Sequence, residues 1–176
     1  MLPLSELCRD ITMQLPDPLW ALSEHERYKA GRATKDFATW HDDEDGIDRF
    51  YVFGALEVPL TYTPGDVFSW GLWIEVEESL HDAYYDAFQT TTAAELRGEG
   101  FIANDVPGYP DALGARVALV FHPDRRPTVT PLEGSLQADF AAGLTEERHR
   151  ALDDALFGDD EEGDENEEAD LPNDRS

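Results

Sequence analysis

Between Arg49 and Glu77 large apolar and polar positions alternate in two runs. Phe50, Val52, Leu56, Val58 and Leu60 form the first, which fades at Pro59; Phe68, Trp70, Leu72, Ile74 and Val76 form the second. A period of two puts each set on one face of a strand. The link Thr61 to Asp66 contains Pro64-Gly65, a turn signal, so the two runs are expected to pair as an antiparallel hairpin. Tyr51, Phe53 and Trp73 add large apolar groups to the opposite face. Both faces are therefore expected to be covered, one of them by the following helix, with a binding groove as the other option.

Elsewhere the spacing is helical. Leu4, Leu7, Cys8, Ile11 and Leu15 make one stripe, with Ser5 as N-cap and Pro16 as terminator, which predicts a helix ending near Gln14. Ser23 and Glu26 have capping-box spacing and Gly31 follows, bracketing a second helix of about two turns. Ser79 with Asp82 opens a third helix, striped by Leu80, Tyr84, Ala87 and Phe88. The Gly- and Pro-rich stretch 98–110 reads as a loop. Ala115 to His122 and Pro127 to Pro131 read as strands around Pro123 to Arg126, and Thr145 caps a last helix stopped by Gly158. The expected fold class is α+β: a small antiparallel sheet of two hairpins packed with helices at the N-terminus, middle and C-terminus.

Charge changes this picture more than length does. The 176 residues hold 39 acids against 13 Lys and Arg, a formal charge of −26. The last eighteen residues carry ten acids and one Arg, a net of −9, which leaves −17 on residues 1–158. Residues 1–158 are thus expected to form one domain, and 159–176 a disordered acidic tail without the apolar side chains that would offset ordering. Phosphates would be repelled, which excludes general nucleic-acid binding. The apolar runs are short and the start lacks a signal-peptide pattern, so the expectation is a cytoplasmic protein with no membrane contact. Cys8 alone supports neither a disulfide framework nor a multi-cysteine zinc site.

Candidate chemistry is sparse. In His41-Asp42-Asp43-Glu44-Asp45-Gly46, aligning Gly46 with the invariant glycine of a calcium loop puts His41 at the first ligand position. It also puts Val52 where a bidentate carboxylate is needed, so an EF-hand fails at both ends. Asp42, Asp43, Asp45 and Asp48 leave two readings, weak cation binding or a solvated turn before the first strand. Glu57 sits between Leu56 and Val58, where it faces either a pocket or water. The five histidines lack metal-ligand spacing, and the chain has no phosphate loop, dinucleotide fingerprint or nucleophile elbow. No metal and no cofactor are therefore expected. His122 ends a strand near Arg125 and Arg126, and Trp70, Trp73 and Tyr109 are aromatic candidates for a contact surface.

Several phrases together carry a resemblance. Pro18-x-Trp20, Ser23-Glu24-x-Glu26-Arg27, Phe50-Tyr51-Val52-x-Gly54-x-Leu56-Glu57-Val58-Pro59, Val67-Phe68-x-Trp70-Gly71-x-Trp73-Ile74 and Pro107-Gly108-Tyr109-Pro110 stand in order, with Arg126-Pro127 before the last strand. The set is similar to the bacterial domain of unknown function family 2199. Members often open with a Cys-x-x-Cys-Gly knuckle and a His, which would suit a metal; this chain has only Cys8. Many also carry a His-Pro-Leu phrase where this chain has Glu133-Gly134-Ser135-Leu136. The resemblance implies a shared fold and carries no established activity.

Two functional readings follow. The first is a non-enzymatic acidic protein of inhibitor or immunity type that engages a basic protein partner by charge and shape. Its anchors would be the hairpin aromatics, ringed by Glu57 and the Asp42 to Asp48 turn. The second is a small enzyme or ligand-binding domain with a pocket near Glu57, Trp70, Tyr109 and His122.

Overall fold

The computed structural model describes Pro3, residues 6–90 and residues 96–158. Its elements run β1 (Asp10–Thr12), α1 (Asp17–Trp20), α2 (Glu24–Ala30), β2 (Gly31–Ala33), β3 (Phe37–Asp42), β4 (Ile47–Pro59), β5 (Val67–Val76), α3 (Glu78–Thr90), β6 (Arg97–Ile102), β7 (Arg116–Val120), β8 (Thr128–Pro131), α4 (Gly134–Ala142) and α5 (Glu146–Phe157). The acidic tail expected at 159–176 lies outside the described residues.

The alternating runs form the hairpin β4–β5, in register from Phe50 opposite Val76 to Pro59 opposite Val67. Around it the fold departs from the α+β expectation. Strands β5, β6, β7 and β8 pair in turn, and β8 returns to β4, closing a five-stranded barrel. Strands β1, β3 and β2 extend the sheet beyond that ring. The chain is therefore a sheet-rich barrel with short helices, and not two hairpins packed with helices. Its sheet is also mixed, since β1 runs parallel to β5, and β8 parallel to β4.

Each strand of the central hairpin serves two neighbours along its outer edge. On β4, β3 pairs with residues 47–52, the Phe53 amide donates to the Asp36 carbonyl, and the Ala55 amide then donates to Pro127 beside β8. On β5, β6 pairs with Ile74 and Glu75, while β1 pairs with Ser69 to Gly71. Asn104 fills the gap between β6 and β1. Its Oδ1 accepts from the Trp73 amide at 2.8 Å, and its Nδ2 donates to the Leu15 carbonyl at 2.8 Å.

The missed strands have local causes. The N-terminal stripe suits a helix, yet residues 9–13 meet the open edge of β5. There the Ser69 amide donates to Arg9 and the Met13 amide to Gly71, so tertiary pairing outweighs periodicity. β6 reads as a loop because Gly98 and Gly100 interrupt its pattern. They are there for space: a Cβ on Gly98 would lie 2.3 Å from Leu80, and one on Gly100 2.5 Å from the Glu75 carbonyl.

Two cores result. Val52, Leu56, Phe68, Trp70, Leu72 and Ile74 fill the barrel with Val117, Leu119 and Val129, and Tyr84 of α3 and Leu152 of α5 close over them. Tyr51, Phe53 and Trp73 face outward and pack under Leu19, Ala38 and Ala103, with Met13 and Leu15 alongside. Both hairpin faces are thus covered. Buried His149 of α5 donates Nε2–H to the Cys8 carbonyl (2.6 Å) and accepts from the Tyr62 hydroxyl, while Asp153 takes the Cys8 amide. These bonds hold Cys8 against α5.

Candidate functional site

The Asp42 to Asp48 segment is the tight turn between β3 and β4. Gly46 takes φ +71°, Asp42 Oδ1 accepts from the Glu44 amide, and Asp45 Oδ1 from the Ile47 amide. Two cationic groups organise its carboxylates. Arg49 reaches Asp45 at 2.7 Å, Glu75 at 3.0 Å and Asp42 at 3.7 Å. His41 bonds Asp48 at 2.6 Å through Nδ1 and lies 3.6 Å from Asp43. The Asp48 hydrogen bond raises the His41 pKa above its ordinary value, and the Glu75 bond does the same for Arg49. Beneath them the buried Tyr51 hydroxyl has no hydrogen-bond partner among the described residues. Burial first, then the charge of Glu75, push its pKa up. No group of His, Cys, Asp and Glu among the described residues has the arrangement of a metal site.

A cleft of about 670 Å³ opens beside this turn, lined by Arg49, Glu75, Glu77, Leu80, Glu99, Phe101 and Arg116 over Gly98 and Gly100. Strand register builds it: Glu75 stands opposite Phe101, and Phe101 opposite Arg116. Phe101 is 51% exposed. Glu77 and Glu99 are exposed, with no cationic partner among the described residues. A second cleft of about 440 Å³ lies on the other side of the turn, with Pro18, Ala21, Leu22 and Trp40 inside and Glu26, Asp42, Asp43 and Glu44 along it. Arg49 and Asp42 link the two clefts into one acidic surface.

The residues singled out from sequence scatter over the molecule. Asp42, Asp43 and Asp45 belong to this surface. Glu57 is exposed on the barrel wall opposite Ser69. Trp70 and Trp73 are 0% and 1% exposed, one inside the barrel and one under α1, so neither offers a contact surface. Tyr109 is buried, donating to Asp139 at 2.6 Å, with Arg148 stacked 5.2 Å over its ring. That set ties the Pro107 to Pro110 phrase to α4 and α5. His122 bonds Thr128 at 2.8 Å and lines a separate cleft of about 270 Å³ with Tyr84, Phe88, Arg125 and Arg126. Glu57, Trp70, Tyr109 and His122 therefore share no pocket. Arg49, Glu75, Trp40 and Phe101 were not identified from sequence. Arg49 and Glu75 could have been, since both fall on outward positions of the expected hairpin.

The family model described as "Uncharacterized protein conserved in bacteria (DUF2199)" matches residues 3–144. The chain belongs to the DUF2199 family. No curated protein and no solved structure matches it. The match spans every strand of this DUF2199 barrel, the acidic turn and both clefts. No helix among the described residues is long and apolar enough to cross a membrane.

Proposed function

We propose that this DUF2199 protein is a non-enzymatic acidic docking protein that engages a basic polypeptide, in the manner of an inhibitor or immunity protein. The observation that carries the reading is the continuity of the acidic surface. Glu77 and Glu99, without a cationic partner among the described residues, stand around a cleft walled by exposed Phe101, and Arg49 joins that cleft to the five acids of the Asp42 to Asp48 turn. Carboxylates so arranged steer a cationic partner, and an apolar wall gives the encounter something to pack against. Most of these acids sit on strand ends and a tight turn fixed by backbone bonds, so little ordering is lost on binding.

The test is capture from host lysate in dilute buffer, using the parent and two charge reversals. The parent is expected to retain a basic protein that elutes at about 0.5 M salt, where charge pairs are screened. Glu77→Lys with Glu99→Lys is expected to lose it, and Glu57→Lys, on the barrel wall, to keep it. Equal retention by all three proteins, or retention indifferent to salt, would refute the reading.

A further inference from the structure

The fold already stacks its own arginines on aromatic rings. Arg27 sits 5.3 Å from the Trp20 ring centre, Arg126 4.5 Å from that of Phe53, and Arg148 5.2 Å from that of Tyr109. Of the four tryptophans, Trp20 is thus occupied, and Trp70 and Trp73 are sealed in the two cores. Trp40 differs. It is half-buried, has no ring or guanidinium stacked on it among the described residues, and forms the wall of the 440 Å³ cleft.

Trp40 is placed there by register. It pairs with Arg49 across β3 and β4, two residues before Asp42 on the same strand face. The acidic turn therefore overhangs the cleft beside the ring. Pro18, Ala21, Leu22 and Ala30 make the cleft apolar, and Glu26, Asp43 and Glu44 stand along its rim. The Glu44 side chain has no ion-pair partner among the described residues, and Glu26 is held ionised by its hydrogen bonds from Ser23. Lys29 also lines the cleft and pairs with none of these carboxylates.

An apolar floor, a half-buried indole with no ring or guanidinium stacked on it among the described residues, and a carboxylate rim together match a flat cation on an aliphatic stem. A guanidinium answers all three. It stacks on aromatic planes, is weakly hydrated and donates paired hydrogen bonds to carboxylates, whereas an ammonium is a compact, strongly hydrated charge. The geometry points to this cleft as the seat of an arginine side chain from the cationic polypeptide, with Trp40 as its stacking surface and Glu44 as its counter-charge. This rests on the docking reading above and adds to it a preference for arginine over lysine.

The probes are oligo-arginine and oligo-lysine peptides of equal length, titrated by calorimetry in dilute buffer. The parent is expected to bind oligo-arginine roughly three- to tenfold more tightly, the scale of one cation–π contact. Trp40→Leu is expected to abolish that preference while still binding both peptides, and Trp40→Phe to keep most of it. Glu44→Gln, on an exposed turn that tolerates the change, is expected to lower oligo-arginine affinity where Glu57→Gln does not. A preference for arginine that survives both Trp40→Leu and Glu44→Gln overturns the seat. If Glu77→Gln with Glu99→Gln then weakens both peptides alike, the acidic docking surface stands without it. Absence of binding by either peptide in dilute buffer overturns both.

Discussion

Replacing Asn104 by Leu tests how the barrel's outer edge is completed. Asn104 is 1% exposed and stands where β6 leaves β5 and the N-terminal segment arrives. The leucine is close in size but orphans the Trp73 amide, which is buried, and the Leu15 carbonyl, which is half-buried and reachable by water. A buried unmet donor costs about 1–3 kcal/mol, and a carbonyl that water can serve costs less, so the loss is about 2–4 kcal/mol. For a domain of this size each kcal/mol moves the melting temperature by about 2–4 °C, so a drop of roughly 4–16 °C is expected by calorimetry. Hydrogen exchange locates it. The Met13 amide, which donates to the Gly71 carbonyl, is expected to lose more protection than amides inside the β4–β5 ladder. A variant melting within about 1 °C of the parent, or one with uniform loss of protection, would refute the clamp.

Gly54→Ala puts a Cβ 2.5 Å from Val129 Cγ2 and 3.2 Å from the Pro127 carbonyl, so a loss of about 1–3 kcal/mol is expected in urea unfolding. Burial pushes the Tyr84 hydroxyl up to about 12. Its folded pKa lies above the unfolded one, so its contribution is complete below about pH 10 and disappears as pH rises through 12. Ultraviolet titration of Tyr84→Phe against the parent reads this as the loss of one late-ionising phenol. His41 follows the same sign: raised by Asp48, it stabilises the turn below its unfolded pKa and ceases to as pH climbs past the folded value. Imidazole resonances in Asp48→Asn are expected to titrate at lower pH than in the parent.

The β4–β5 hairpin is legible in the sequence because both faces of each strand are apolar enough to alternate visibly. The α2 capping box is legible too: the Ser23 hydroxyl accepts from the Glu26 amide, and the Glu26 side chain from the Ser23 amide. Barrel closure is not legible. It depends on β6, where two of the inward positions, Gly98 and Gly100, are glycines because Leu80 and the Glu75 carbonyl crowd them. It depends also on β8 meeting β4 across a long separation, which no local pattern encodes. The acidic turn is visible as a charge run, but its meaning lies in Arg49, which collects Asp42 at the end of β3, Asp45 in the turn and Glu75 on β5. Trp70 and Trp73 of β5 fail as surface anchors for one reason. Large rings in a strongly alternating strand are the first residues a barrel buries, and exposed Phe101 and half-buried Trp40 sit instead in strands whose sequence alternates poorly.

The return of β8 to β4 rests on a single paired position, Ala55 with Thr128, supported by the Ala55 amide on Pro127. Every other joint of the ring has at least two. A cylinder with one weak stave is expected to part there first, so opening of this barrel should start at the wall beside Val129 and reach last the end of the hairpin held by the long β4–β5 ladder.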